Sequence, residues 1–190
     1  MGEQGIDFLA GDALLLVDVQ IDFCPGGKLP ISEGDRVVPF LNDCIEAAEK
    51  AGIPIIASRD WHPREHPSFL EQGGDWPTHC VQDTAGAAFH PDLRIPEEAV
   101  VLCKGTRFDQ DQLNAFDQTG LEVFLRELGV RRLWVAGLAL DVCVLLSVEG
   151  AREHGFDVEV LLGGCRPVTE EGGLEAQARM QLAGAHLHRG

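Results

Sequence analysis

The chain has 190 residues, 45% hydrophobic and 24% charged, a balance that excludes a disordered chain and is enough for one domain with a sizeable core over residues 1–190. A formal net charge of −16 argues against nucleic acid and anionic membrane as partners, and the dispersed acids read as a solvated face. Apolar runs such as Ala13–Val17 and Leu133–Leu140 are too short to span a bilayer, and Met1–Gly5 lacks the basic and apolar regions of a secretory signal, so a cytoplasmic location is expected.

The elements alternate along the chain. Ala13–Asp18 (ALLLVD) reads as a buried strand. Asp35–Ala51 carries Val37, Val38, Leu41, Ile45 and Ala48 at a helical period and stops at Gly52. Ile53–Ser58 is a second strand, Ala99–Cys103 a third, Arg132–Ala136 a fourth and Asp157–Leu162 a fifth, with a further short strand around His186 left open. Helices fit Leu121–Leu128, Asp141–Glu153 and about Glu171–Leu182, the first two ending at Gly129 and Gly155. Strands alternating with helices predict a mostly parallel sheet covered by helices on both faces. In such sheets ligands sit beyond the carboxyl ends of the strands, and a long loop such as Ser58–Ala99 is usually functional.

Reactive residues collect at those strand ends: Asp18 after the first, Asp60 and His62 after the second, Lys104 after the third, and Cys143 after the Gly137 turn that follows the fourth. The six cysteines, without a CxxC pair, do not suggest a disulfide framework, a zinc ribbon or a thioredoxin site. Cys143 falls near a helix start, where partial positive charge favours a thiolate; it also reads as a small buried thiol. Lys104 is one of three lysines and follows an apolar strand, either as a desolvated partner for a carboxylate or as a strand end reaching water. Asp18, after four apolar residues, is either a general base or a loop cap. In Asp60-Trp61-His62-Pro63 an extended backbone turns Asp60 and His62 to one side and Trp61 to the other, and His66 and His79 follow in the same loop. Imidazole with carboxylate suits one divalent transition metal, zinc first and iron or manganese as alternatives, unless the loop is simply polar. Phe23 and Trp76 read as walls for a flat ring or as loop anchors.

These segments resemble the nicotinamidase (pyrazinamidase) family of the isochorismatase-like cysteine hydrolase fold. The resemblance rests on Leu14–Gly27 (LLLVDVQIDFCPGG), Ser58–Pro63 (SRDWHP), His66–Phe69 (HPSF), Trp76–Asp83 (WPTHCVQD), Cys103–Thr106 (CKGT) and Gly137–Val144 (GLALDVCV), in family order. It implies a three-layer α/β/α, doubly wound sheet of about six strands. It implies a catalytic triad of Asp18, Lys104 and Cys143, metal ligands Asp60, His62 and His79, and His66 with Ser68 where some members add a direct or water-mediated ligand. Phe23 and Trp76 match the residues around the pyridine ring, and Leu138–Ala139 matches a non-proline cis peptide that turns the Ala139 N–H toward the substrate oxygen. Departures are Leu140 for Thr, Val142 for Tyr, Ile21 for Asn, Arg107-Phe108-Asp109 after Lys104, and Asn114 for Ser.

The activity so implied is hydrolysis of nicotinamide to nicotinate and ammonia through a Cys143 thioester, a step of NAD salvage, on a small-molecule amide substrate. Rival readings are an amidase for another heteroaromatic or carbamoyl amide, a non-amidase relative, a silent binder, and a thiol redox protein. A homo-oligomer is left open.

Overall fold

The computed structural model describes residues 6–189. The reading of Met1–Gly5 as free of a secretory signal falls outside them. Strands β1 (Asp12–Val17), β2 (Ile55–Asp60), β3 (Val100–Lys104), β4 (Arg132–Leu138), β5 (Asp157–Arg166) and β6 (His186–His188) form a sheet in the order β3-β2-β1-β4-β5-β6. Each neighbouring pair is parallel, so the sheet expected to be mostly parallel is wholly so among the described residues. Among the described residues four α-helices flank it: α1 (Val38–Ala51), α2 (Leu121–Glu127), α3 (Leu145–Glu153) and α4 (Glu170–Leu182).

The order of strands follows from the chain's path. It runs outward from β1 through β2 to β3, then returns to place β4 on the other side of β1. Right-handed crossovers in opposite directions put α1 on one face of the sheet and α3 with α4 on the other, where those two pack together. All six residues of β1 are therefore buried, which is why this strand reads as a continuous apolar run and not as an alternating one. Helix α1 buries Val38, Leu41, Ile45 and Ala48 along one stripe and closes at Gly52, whose φ of 67° lets its N–H reach the carbonyls of Ala48 and Glu49. Helix α4 starts at Thr169, whose hydroxyl accepts the Gly172 N–H.

Most strand ends move by a residue or two from the sequence expectation, and four differences are larger or bear on the site. β2 runs on to Asp60, which pairs with Lys104 of β3, so the carboxylate is the last residue of the strand and not part of the loop. β5 continues through Gly163 and Gly164 to Arg166. No apolar alternation marks that stretch, because a side chain at either glycine would strike Phe40 or Leu41 of α1. A single 3-10 turn, Gly34–Val37, precedes α1. The expected helix from Asp141 begins as a π turn, Leu140–Val144, before α3. Among the described residues no helix is long and apolar enough to cross a membrane.

The chain reverses direction across the sheet between β1 and β4, and Asp18, Asp60, Lys104 and Ala139 all lie at the carboxyl edge beside that point. This is where an open α/β sheet leaves a crevice.

Candidate active site

Lys104 is the centre of the site. It is fully buried at the end of β3, with its Nζ 2.7 Å from Asp18 Oδ2, 2.6 Å from Asp60 Oδ1 and 3.5 Å from Cys143 Sγ. Ligand atoms of Asp18, Asp60 and Cys143 lie within 4.8 Å of one another. Residues from four strand ends thus meet around one ammonium, and the alternative of a lysine reaching out to water is set aside.

Two residues outside the expected set hold the carboxylates. Ser58, two residues before Asp60 on β2, donates to Asp18 Oδ1 at 2.7 Å. Gln20 is fully buried and pins the backbone of Asp60: its Oε1 accepts the Asp60 N–H at 2.8 Å, and its Nε2 donates to the carbonyls of Asp60 and Ala87 at 2.8 and 2.9 Å. Asp18 itself sits just past β1 with φ 49°, a turn closed by the Gln20 N–H on the Asp18 carbonyl. Gln20 was visible in the sequence only as a polar residue two positions beyond Asp18, a weak signal.

The environment separates the titrating groups. Burial raises the Asp18 carboxyl above the usual carboxylate range, outweighing the Lys104 charge that opposes it. Burial acts on Asp60 in the same sense, but Lys104, His62 and His79 overcome it and hold this carboxyl well below that range. Burial would lower Lys104, yet the two carboxylates keep it firmly charged. One carboxylate is therefore primed to accept a proton and the other stays ionised, the division that acid–base sites use. Burial also drives the Cys143 thiol well above its ordinary value despite Lys104. The thiolate anticipated from a helix start does not prevail, because Cys143 is only 5% exposed and desolvation exceeds what Lys104 returns.

Beside this cluster lies a set of metal-ligand type. Asp60, His62 and His79 present ligand atoms within 4.8 Å of one another, with His62 Nε2 and His79 Nε2 at 3.7 and 3.8 Å from Asp60 Oδ2. Each imidazole is oriented through its other nitrogen: His62 Nδ1 donates to the Gly105 carbonyl at 3.0 Å, and His79 Nδ1 to the Pro77 carbonyl at 2.7 Å. Gly105 has φ 64°, and a Cβ there would collide with the His62 ring. His62 Nε2 is buried without a hydrogen-bond partner, as a ligand nitrogen awaiting a cation would be. The residues present fit a divalent transition metal. His66, expected with them, falls instead into a neighbouring set with His62 and Asp111, and its Nδ1 lies 2.7 Å from Ser68 Oγ. Trp61 points away from these groups, its ring under the Arg59 guanidinium at 3.8 Å.

A cavity opens onto both clusters. Its base includes Phe23, Ile31, Asp60, Trp76, His79, Ala139 and Cys143, so both expected aromatic residues stand on its wall. Leu113, Val142 and Val168 line it too, an apolar part of the wall that the strand-end argument did not find. Asp141 ties Val168 to the Leu140–Val144 turn, its carboxylate accepting the N–H groups of Val168 and Thr169 at 2.8 and 3.3 Å. The Leu138–Ala139 peptide is cis.

A buried thiol, an ammonium and a carboxylate at the carboxyl edge of a doubly wound parallel sheet define a cysteine hydrolase-like α/β site. Residues 12–189 match the isochorismatase domain model, and the chain belongs to that family. It is 39% identical to a nicotinamidase of Escherichia coli, over 93% of each chain. Among solved structures it superposes on a pyrazinamidase of Pyrococcus horikoshii in complex with zinc, with a TM-score of 0.92, 39% identity, and coverage of 95% of this chain and 99% of that one. A protein of L. infantum in complex with nicotinate gives a TM-score of 0.88, 34% identity and coverage of 95% and 93%.

Proposed function

We propose that this chain is an amidohydrolase that converts nicotinamide to nicotinate and ammonia, the first step by which a released pyridine carboxamide returns to NAD. The observation that carries the reading is the contact of one buried ammonium with Asp18, Asp60 and Cys143. The similarity to nicotinamidases, and to relatives crystallised with zinc and with nicotinate, supports the substrate.

Asp60, His62 and His79 would hold one divalent transition metal, with zinc as the first choice given the P. horikoshii relative. Bound there, the metal would supply a Lewis acid suited to a pyridine nitrogen. Phe23 and Trp76 sandwich the flat ring, which leaves the carboxamide facing Cys143. Asp18, whose carboxyl is already raised, takes the thiol proton as sulfur attacks the carbonyl carbon. Lys104 keeps the sulfur and the carboxylate in register and offsets the charge that develops on sulfur. Backbone N–H groups of Ala139 and Cys143 receive the oxyanion. The C–N bond then breaks, and Asp18 returns its proton to the departing ammonia. Water, deprotonated by Asp18, hydrolyses the thioester and restores the thiol.

Ammonia release from nicotinamide by the purified protein tests this. Cys143→Ala should abolish release with its unfolding curve unchanged; turnover near that of the parent would remove Cys143 as the nucleophile. His62→Ala should weaken nicotinamide binding strongly while Cys143 still reacts with iodoacetamide.

A further inference from the structure

We propose that Asp141 is a positioning residue that holds Val168 at the mouth of the cavity, and that Val168 so held sets how wide a ring is admitted above Cys143. The proposal deepens the reading as an amidohydrolase for a flat heteroaromatic amide and rests on it.

The cavity takes this part of its wall from two separate segments. Ala139, Val142 and Cys143 come from the stretch that follows β4, and Val168 from the short strap Pro167–Thr169 between β5 and α4. Cys143 and Ala139 are each 5% exposed, whereas Val168 is 51% exposed. Cys143 therefore lies at the floor and Val168 at the open rim. A ring whose carboxamide meets Cys143 turns its far edge outward, past Val168.

Asp141 links the two segments. Its carboxylate accepts the Val168 N–H at 2.8 Å and the Thr169 N–H at 3.3 Å. Among the described residues no other hydrogen bond joins the strap to the Leu140–Val144 turn. The approach is tight. A Cβ on Gly172 would lie 2.5 Å from Asp141 Oδ2, and one on Gly173 2.9 Å from the Pro167 Cβ. Two consecutive glycines weaken the helix that contains them, and here they let the first turn of α4 lie against Asp141 and the strap.

A capping role does not account for Asp141. Thr169 fills that place, its hydroxyl accepting the Gly172 N–H, and Glu170 and Glu171 already supply negative charge to the first turn. The N–H groups that Asp141 takes belong to Val168 and Thr169, ahead of the first helical residue, Glu170. Its neighbour Val142 lines the same cavity, so one residue anchors two parts of the apolar wall, Val142 through the backbone and Val168 through a hydrogen bond.

The experiment uses the full chain with Asp141→Ala, Asp141→Asn, Val168→Ala and the double variant Asp141→Ala/Val168→Ala. Trimming Val168 takes apolar contact from the ring, which should raise KM for nicotinamide about 10-fold and leave kcat within about threefold, since ground and transition states lose it alike. Asp141→Ala should do the same by releasing the strap. The double variant should stay within about twofold of Asp141→Ala; an effect near the product of the two, about 100-fold, would make them independent and overturn the proposal. Asp141→Asn keeps one acceptor oxygen and should fall between the parent and Asp141→Ala; equal losses in the two would overturn the hydrogen bond as the means. A loss of kcat with KM unchanged in Asp141→Ala would assign Asp141 to the Cys143 turn alone and overturn the proposal too. Should Asp141→Ala fail to fold, Asp141→Asn and Val168→Ala carry the comparison.

Two readouts need no turnover. In hydrogen–deuterium exchange the Val168 and Thr169 amides should exchange about 10-fold faster or more in Asp141→Asn than in the parent. N-phenylmaleimide and iodoacetamide, scored by mass spectrometry on the peptide containing Cys143, compare a flat ring with a small reagent at one thiol. Asp141→Asn and Val168→Ala should speed the first more than the second. Unchanged exchange, or an unchanged ratio of the two rates, would overturn the proposal. A parent that releases no ammonia from nicotinamide would remove the nicotinamidase reading, while these two readouts still decide the place of Val168.

Discussion

Replacing Lys104 with methionine keeps roughly the bulk of the side chain and removes its charge and its N–H donors. Two carboxylate oxygens, 2.7 and 2.6 Å from Nζ, then face each other in a site that excludes water. Removing one partner of a buried ion pair costs about 3–5 kcal/mol, since the remaining charge stays buried and uncompensated. For a chain of this size that corresponds to a fall in Tm of about 6–20 °C. Against a total stability of about 5–15 kcal/mol the loss is large, and urea unfolding resolves it readily. The measurement belongs in chelator, so that metal binding to Asp60 does not contribute. The double variant Lys104→Met with Asp18→Asn should be more stable than Lys104→Met alone, because neutralising Asp18 removes part of the unpaired charge. A single variant within about 1 kcal/mol of the parent would refute the buried three-way contact.

Other expectations follow from contacts away from the reacting atoms. Gln20→Leu leaves the Asp60 N–H and the Ala87 carbonyl without their partner in the core, so stability should fall by about 2 kcal/mol or more. Because Gln20 sets the backbone that carries Asp60, zinc affinity should fall by about 10- to 100-fold as well, read by competition with a chromophoric chelator. Asp12, remote from the site, accepts the Arg132 Nε and Nη2, the Trp134 indole and the Leu9 N–H. Burial pushes its carboxyl up, but these donors, Arg132 first, leave it below its ordinary 3.8. The stabilisation is therefore present above the unfolded value and is lost as pH falls through the lower folded one. Asp12→Asn should cost stability at pH 7 and progressively less below about pH 3.8, measured by urea midpoints across that range.

The strand ends were the legible part of the sequence. Asp18, Asp60 and Lys104 each follow a short apolar run, and a parallel sheet aligns such ends whatever the loops between them do. Asp60 and His62 were readable as a pair because the extended backbone alternates sides, and Pro63 holds His62 there. Cys143 is ambiguous, since a buried thiol and a nucleophile look alike in sequence; its 3.5 Å approach to Lys104 supports the proposed nucleophile. Gln20 and Ser58 carry no chemical signature, because an amide or hydroxyl becomes a positioning group only through contacts made across the sheet. The contact of Asp141 with Val168 joins residues 27 positions apart, on a turn and a helix start whose approach no local pattern fixes. The extension of β5 leaves no sequence signature for a simpler reason: its glycines are required by α1 against the sheet, not by the strand.

In the proposed reaction Cys143 forms an acyl bond to the substrate and Asp18 handles the proton. Rapid quenching of the zinc-loaded protein with nicotinamide, followed by peptide mass spectrometry, tests this step. A nicotinoyl group should appear on the peptide containing Cys143, fall sharply in Asp18→Asn, and be absent in Cys143→Ala. Nicotinate produced at full rate with no adduct on Cys143, or with the adduct on Cys80 or Cys103, would exclude Cys143 as the nucleophile.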